Sequence, residues 1–126
     1  MDETHNIDLL VVDDDDELRS TMVRRFAARG FRVQEAPSAE TALDLGSRRD
    51  FDVAVFDMMM PGMSGLELLE KFKAVHPDCE VILLTGQGTI EAAVRAMKLG
   101  AYDFLTKPFP LKHLEAHIEK AYDRRA

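Results

Sequence analysis

The chain has 126 residues, of which 46% are apolar and 31% charged, and its formal net charge is −7. This composition excludes a disordered segment, and the acidic balance argues against direct binding of nucleic acid, whose partners are usually basic. No apolar run approaches the ~20 residues of a membrane-spanning helix. Cys79 is the only cysteine, so we expect no internal disulfide and a location in the reducing cytoplasm. The length suits a single domain, placed at residues 1–126.

Apolar runs alternate with helical patterns from the start of the chain. Ile7 to Val12 is an apolar run that predicts the first strand. Apolar residues at helical spacing from Leu18 to Phe26 predict a helix that ends near Gly30. Phe31 to Ala36 alternates apolar and polar residues and predicts a half-buried second strand, after which Ser38 is the predicted cap of a second helix.

The middle of the chain repeats this alternation. Phe51 to Phe56 predicts a third strand that ends at Asp57, and a loop follows over residues 58–63. Residues 64–67, Ser-Gly-Leu-Glu, have the capping-box pattern and predict the start of the third helix. Val81 to Leu84 predicts a fourth strand that ends at Thr85.

The last third of the chain predicts two further helices and one strand. Thr89 is the expected cap of the fourth helix, which Gly100 ends. Tyr102 to Leu105 predicts a short fifth strand, ended by Lys107-Pro108. The apolar stripe of the fourth helix consists of Ile90, Ala93, Val94 and Met97, and that of the fifth consists of Leu111, Leu114, Ile118 and Ala121.

Five strand–helix pairs predict a doubly wound α/β domain, because right-handed crossovers between parallel strands place helices on both faces of the sheet. The first, third and fourth strands are nearly continuous apolar runs, as expected at the centre of such a sheet. The second and fifth strands carry Arg32, Gln34 and Asp103 and suit its edges. We therefore predict a single (βα)5 flavodoxin-like domain with the sheet order 2-1-3-4-5, whose ligands bind beyond the carboxyl ends of the strands.

Polar side chains follow four of the strands at that edge. The first strand is followed by Asp13 and Asp14, the third ends at Asp57, the fourth at Thr85, and the fifth leads to Lys107. Unpaired carboxylates in one crevice would repel by roughly 4 kcal/mol per close pair at an effective dielectric of 20, and a divalent cation with oxygen ligands removes this repulsion. A hydroxyl and an ammonium group beside such a cation form a phosphoryl-binding arrangement.

Four segments, VVDDDDELR, VAVFDMMMPGMSGLELL, VILLTGQG and YDFLTKPF, resemble the signature segments of the bacterial two-component response-regulator receiver domain. The resemblance covers the chain from about Ile7 to Ala121, and residues 85–109 are most similar to receivers of nitrogen-regulation-type transcriptional activators. It implies a phosphorylation-dependent switch and not an enzyme in the ordinary sense. Such a domain accepts a phosphoryl group from a histidine kinase or a phosphotransfer protein and transmits the change to a transcriptional output.

The resemblance also implies roles for individual residues. Asp57 matches the phosphoacceptor, Asp14 a direct Mg²⁺ ligand, and Asp13 the acidic partner that holds a metal-bound water. The Met59 carbonyl matches the backbone ligand, and Mn²⁺ is expected to substitute for Mg²⁺. Met59 and Gln87 flank the path of the hydrolytic water in receivers, and because neither side chain orients a water strongly we expect slow self-dephosphorylation.

The remaining matched positions lie on the fourth and fifth strands. Thr85 and Lys107 match the hydroxyl and the ammonium group that contact the phosphoryl group. Phe104 matches the aromatic switch position, two residues before Thr106. The Lys107–Pro108 peptide is typically cis in the family.

The other candidate features have ordinary structural interpretations. Asp15 and Asp16 suit the start of the first helix, where carboxylates accept backbone N–H bonds. His113 and His117 are spaced for a zinc site, yet a solvated helix face is preferred. One predicted surface has two interpretations: a solvated face, or a contact face for a homodimer or an output domain. It combines the fourth helix, fifth strand and fifth helix and carries Arg95, Lys98, Asp103, Lys112, Glu115 and Glu119.

Two rival functions predict different sequence features. A Mg²⁺-dependent phosphohydrolase with an aspartyl nucleophile would carry Asp-x-Asp-x-Thr/Val after the first strand, and this motif is absent. An interaction module that is never phosphorylated would lack Asp57, the acidic pair or Lys107, and all are present. The resemblance implies either a free-standing receiver or the receiver part of a longer regulator.

Overall fold

A computed structural model describes residues 7–86 and 89–124. These residues form five strands that alternate with five helices. In chain order the elements are β1 (Asp8–Val12), α1 (Asp16–Ala28), β2 (Arg32–Ala36), α2 (Ala39–Gly46), β3 (Val53–Asp57), α3 (Gly65–Val75), β4 (Glu80–Thr85), α4 (Ile90–Lys98), β5 (Asp103–Thr106) and α5 (Leu111–Arg124). All neighbouring strands are parallel, in the order β2-β1-β3-β4-β5. The predicted fold class, edge strands and sheet order are confirmed.

The strand bounds differ from the predictions by one or two residues. β1 begins at Asp8 instead of Ile7, β3 begins at Val53 instead of Phe51, and β5 lies one residue later than predicted. Ile7 and Phe51 are buried, yet each precedes the paired part of its strand. An apolar run reports burial, whereas the backbone ladder decides where a strand starts.

The predicted helix ends are found at their expected residues. The Ser38, Ser64 and Thr89 side chains accept backbone N–H bonds at the starts of α2, α3 and α4, and Ser64 has the full capping box. Gly30 and Gly100 follow α1 and α4 with φ of 96° and 100°, a conformation that glycine adopts at little cost. Because each cap is worth about 1 kcal/mol, these local signals fix where the connecting loops begin.

Helices cover the sheet on both faces, and because all neighbouring strands are parallel, their carboxyl ends lie at one edge. Leu10 and Val12 of β1 pack in a core cluster with α2, α3 and α4. Leu9 and Val11 point to the other face, where the core cluster includes α1 and α5. Burial of each such side chain stabilises the fold by about 1.5–3 kcal/mol. The loops after β1, β3, β4 and β5 therefore meet at the carboxyl ends of well-packed strands.

The predicted apolar stripe of α4 does not face the core. Ile90, Val94 and Met97 are 84%, 46% and 48% exposed. The helix has two apolar faces, and the one with small side chains meets the sheet, because it permits a closer approach. That inner face carries Ala92 and Ala96, and Leu99, the residue that caps α4, packs beside them. Periodicity alone does not distinguish two apolar faces of one helix, and the stripe identified from the sequence is the one that faces outward.

Candidate functional site

The turn between β1 and α1 gives the last two of the four consecutive aspartates structural roles. Asp15 is the N-cap of α1, and its Oδ1 accepts from the backbone N–H groups of Glu17 and Leu18, both at 3.1 Å. Asp16 lies in the first turn, where its Oδ1 accepts from Arg19 Nη2 at 2.7 Å. Both contacts fit the preference of helix starts for carboxylates. The interpretation of Asp15 and Asp16 as helix-start residues is confirmed.

The first two aspartates point elsewhere. Asp13 is fully buried, and its Oδ1 accepts from the Asp15 N–H at 2.9 Å. Asp14 is exposed. Asp13, Asp14 and Asp57 each contribute a carboxylate oxygen to one cluster, in which the oxygens lie within 4.8 Å of one another. Lys107 Nζ lies 3.4 Å from Asp13 Oδ2 and 3.6 Å from Asp57 Oδ1.

Asp57 is the last residue of β3 and is almost completely buried, with 4% exposure. Its Oδ1 accepts from the Met59 N–H at 3.3 Å. Burial and the neighbouring Asp13 charge raise the pKa of Asp57 to about 7, and contact with the Asp14 carboxyl adds to the rise. The Lys107 charge and the Met59 N–H act in the opposite direction but are outweighed. The Asp57 carboxylate therefore sits where negative charge is already crowded.

The donor set fits a divalent cation. The three clustered carboxylates carry three negative charges when ionised, against one positive charge on Lys107. Hard carboxylate oxygens with one exposed member, Asp14, suit a cation that keeps some of its waters. Within the described residues no other cluster of three or more acidic, histidine or cysteine side chains has this geometry. His113 and His117 do not belong to this cluster.

The raised pKa of Asp57 predicts how the stability of the metal-free protein depends on pH. Between the ordinary carboxyl pKa of 3.8 and about 7, the folded chain binds more protons at this group than the unfolded chain does. Its contribution therefore lowers the free energy of unfolding as the pH rises through this window. We expect Asp57→Asn to be more stable than the wild type by about 1–3 kcal/mol at pH 8 and nearly equal to it at pH 4.

Denaturant unfolding of the metal-free protein at several pH values measures this difference. Asp78→Asn is the matched control, because Asp78 is an exposed carboxylate that precedes β4 at the opposite edge of the sheet. An Asp57→Asn stability gain that is the same at pH 4 and pH 8 would contradict the crowding of charge at Asp57.

Thr85 and Phe104 occupy the positions that the sequence predicts. Thr85 is the last residue of β4 and is fully buried, and its carbonyl accepts from the Lys107 N–H at 2.6 Å. The Lys107–Pro108 peptide is cis, as expected. Phe104 is half-buried on β5 and packs against the core cluster shared with α4. Gln87, expected near the hydrolytic water, lies outside the described residues.

Gly65 is a site-building residue that the sequence interpretation placed only in the capping box. A Cβ at this position would lie 2.3 Å from the Asp57 carbonyl oxygen and 2.7 Å from Met58 Cα. Gly65 N–H donates to the Met58 carbonyl at 2.9 Å. The start of α3 thus approaches the end of β3 at a distance that only glycine allows. The sequence offered one signal for this close approach: glycine stands in the first turn of a helix, where larger residues are ordinarily tolerated.

Gly65→Ala is expected to destabilise the fold by about 1–3 kcal/mol, because a clash with backbone must be relieved by moving α3. This loss outweighs the gain in helix propensity of up to about 1 kcal/mol. Gly86→Ala is the matched control, since a Cβ there meets nothing within 4 Å. Denaturant unfolding of both variants measures the effect, and equal stabilities would contradict the close approach.

Glu115 does not lie on the surface assigned to it from the sequence. It is 6% exposed, and its carboxylate accepts from Arg25 Nε at 3.3 Å and from Arg29 Nε at 3.0 Å. Arg25 belongs to α1 and Arg29 is its C-cap residue, so Glu115 joins α5 to the C-terminal end of α1 and takes no part in the face formed with α4. His117, in contrast, is on that face and pairs through Nδ1 with Asp103 Oδ2 at 2.7 Å.

Residues 9–119 match the family of the response regulator receiver domain. This chain is a receiver domain. It is 41% identical over 118 residues to the C4-dicarboxylate transport transcriptional regulatory protein DctD of Rhizobium meliloti, covering 93% of this chain and 25% of DctD. The receiver spans between 25% and 55% of the length of the first curated relatives that it matches.

Solved structures agree with this assignment. A response regulator from Burkholderia pseudomallei, which contains a phosphorylated aspartic acid, a calcium ion and citrate, is 30% identical with a TM-score of 0.85, over 93% of this chain and 69% of that one. The beryllofluoride-activated NtrC4 receiver domain dimer is 32% identical with a TM-score of 0.88, over 94% and 98% of the two chains. The receiver is accordingly a phosphorylation-dependent signalling domain of a two-component system. In the described parts of the chain, no helix is long and apolar enough to cross a membrane.

Proposed function

We propose that Asp57 is the phosphoacceptor of this receiver and takes its phosphoryl group from a phosphohistidine on a kinase or phosphotransfer protein. The observation that carries the proposal is the convergence of Asp13, Asp14 and Asp57 beside Lys107 at one edge of the sheet. Three carboxylates in contact are costly unless a ligand offsets their charge. A buried acceptor with an ammonium group beside it suits phosphoryl transfer.

The same residues would hold Mg²⁺, with Mn²⁺ as a substitute. Asp14 and Asp57 are the proposed direct carboxylate ligands, Asp13 the ligand through water, and the Met59 carbonyl the backbone ligand. The exposed Asp14 and the buried Asp13 agree with this division, because an exposed carboxylate can move onto the cation. When bound, the cation supplies positive charge that offsets the negative charge of the transferred group.

In the transfer, an Asp57 carboxylate oxygen attacks phosphorus, the bond from phosphorus to the histidine nitrogen breaks, and that electron pair returns to the imidazole. Lys107 Nζ already faces Asp57 Oδ1 at 3.6 Å and would pair with a phosphoryl oxygen. The Thr85 hydroxyl would donate to another. The receiver contributes chiefly by positioning these groups, as is general for phosphoryl transfer.

A groove beside the site is the proposed docking place of the phosphodonor. It has a volume of about 580 Å³ and extends from Lys107 along the start of α1 to the first turn of α5. Its apolar lining includes Leu18, Pro108, Phe109 and Leu111. An apolar groove of this kind accepts the apolar face of a helix, and a helix bound here would bring its phosphohistidine towards Asp57.

The output is proposed to leave through the face formed by α4, β5 and α5. Movement of Thr85 towards the phosphoryl group would bias Phe104 to a more buried position, and the populations of the two states would shift. The exposed apolar residues of α4 are available to a second receiver or to an output domain. A transcriptional output in the cytoplasm agrees with relatives such as DctD.

Acetyl phosphate and Mg²⁺ provide the direct test. We expect the wild-type receiver to form one acyl phosphate, which chemical trapping and peptide mass spectrometry locate at Asp57. Chelation of Mg²⁺ should suppress the labelling. Turnover of a generic phosphate ester without a stable acyl phosphate would instead favour the phosphohydrolase alternative.

A further inference from the structure

Arg19 of α1 ties together three parts of the chain beside the acidic pair. Its Nη1 donates to the Asp13 carbonyl oxygen at 2.8 Å, its Nη2 to Asp16 Oδ1 at 2.7 Å, and its Nε to Glu35 Oε1 at 2.9 Å. The side chain is 13% exposed. The rigid, planar guanidinium can donate to three acceptors in fixed directions, whereas an ammonium group cannot hold such a geometry.

The Asp13 carbonyl is the informative acceptor among the three. It belongs to the peptide group that joins Asp13 to Asp14, so the orientation of this carbonyl determines the positions of the Asp14 N and Cα atoms. Asp13 itself is fixed independently, because its side chain is buried, accepts from the Asp15 N–H and faces Lys107. Asp14 is exposed and lacks that packing. The direction of its carboxylate therefore depends on the peptide that Arg19 holds.

The charge of Arg19 is not explained by the helix itself. It lies near the N-terminus of α1, where the helix dipole disfavours a positive group. Asp16 and Glu35 offset that cost by pairing with it. Glu35 comes from the edge strand β2, so the arginine also fixes the turn to the sheet.

We propose that Arg19 is a positioning residue for the metal site. It fixes the Asp13–Asp14 peptide so that the Asp14 carboxylate meets Asp57 with the geometry that a divalent cation requires, and Asp16 and Glu35 hold the guanidinium in place. The inference rests on the proposed function. Arg19 itself touches neither the cation nor the phosphoryl group, since it acts through a backbone carbonyl.

Calorimetric titration of the full chain with Mg²⁺ or Mn²⁺ tests the proposal. Groups that orient metal ligands typically change affinity by about 10–100-fold when removed, so we expect Arg19→Met to weaken binding by about tenfold. The matched control is Arg32→Met. Arg32 pairs with Asp8 through Nε at 2.8 Å and Nη2 at 3.0 Å. It therefore joins β2 to β1 at the amino ends of the strands, whereas Arg19 joins β2 to the turn after β1. This control should lose stability while its metal affinity stays at the wild-type value.

The outcomes are distinct. Wild-type metal affinity in Arg19→Met, with only a lower free energy of unfolding, would overturn the positioning role and leave the proposed function standing. A wild-type receiver that binds neither cation would overturn both. If Arg19→Met does not fold, Arg19→Lys decides, because it keeps the charge but not the fork of donors. Reduced affinity in the folded Lys variant supports the role, and unchanged affinity contradicts it.

Discussion

Replacing Asp57 by asparagine is expected to abolish phosphorylation of the receiver by acetyl phosphate. The amide has no anionic oxygen to attack phosphorus, and the labelling should fall by at least about 100-fold, equivalent to a barrier increase of roughly 2.7 kcal/mol. The neighbouring carboxylates do not substitute for it. Asp13 is proposed to hold a metal-bound water, and the exposed Asp14 is proposed to be engaged by the cation. Intact-protein mass spectrometry after a fixed reaction time measures the loss.

Asp15→Asn is the control for this experiment. It makes the same chemical change in the same acidic run, but Asp15 caps α1, and asparagine is as good an N-cap as aspartate. The control should be labelled and unfold like the wild type. Labelling of Asp57→Asn at the wild-type stoichiometry would show that the acceptor is another residue.

The sheet edge and its polar residues could be predicted because they follow from local rules. Alternating apolar runs and caps give the strand–helix order, and parallel strands place all carboxyl ends at one edge. Asp13, Asp14 and Asp57 therefore converge without any knowledge of side-chain packing, and the structure brings them together. Their roles towards a metal and a phosphoryl group remain predictions.

The features that sequence interpretation missed depend on contacts between distant parts of the chain. Glu115 stands at helical spacing from Leu111 and Ile118, on the apolar stripe of α5, but its charge favoured an exposed position. The arginines that offset this charge on burial, Arg25 and Arg29, are 90 and 86 residues away in the chain. The apolar stripe of α4 identified from the sequence is the outer of two apolar faces, and the pattern alone does not show which face meets the sheet. Gly65 was undervalued because the closeness of α3 to Asp57 exists only in the folded chain.

Alanine at Asp14 is expected to weaken binding of Mg²⁺ by at least about tenfold, or roughly 1.4 kcal/mol. A direct carboxylate ligand supplies both charge and a coordinating oxygen, whereas the water-mediated ligand proposed for Asp13 supplies only charge and a hydrogen bond. Asp13→Ala should therefore lose less affinity. Asp14→Ala relieves the crowding of carboxylates around Asp57, so its loss of affinity is not explained by a less stable metal-free fold. Asp13→Ala also loses the bond from the Asp15 N–H, so its unfolding is measured alongside the titration.

Asp15→Ala completes the comparison, because it removes a carboxylate from the same turn without touching the cluster. It should lower the free energy of unfolding by about 1 kcal/mol through loss of the cap and leave the metal affinity unchanged. Calorimetric titration of all three alanine variants with Mg²⁺, at a pH above the raised pKa of Asp57, separates the two effects. The proposed ligand set is wrong if Asp14→Ala retains wild-type affinity, or if Asp15→Ala loses as much as Asp14→Ala does. If Asp14→Ala loses affinity and Asp15→Ala loses only stability, the contacts are interpreted correctly. Asp13 and Asp14 then serve the metal site, and Asp15 and Asp16 serve the start of α1.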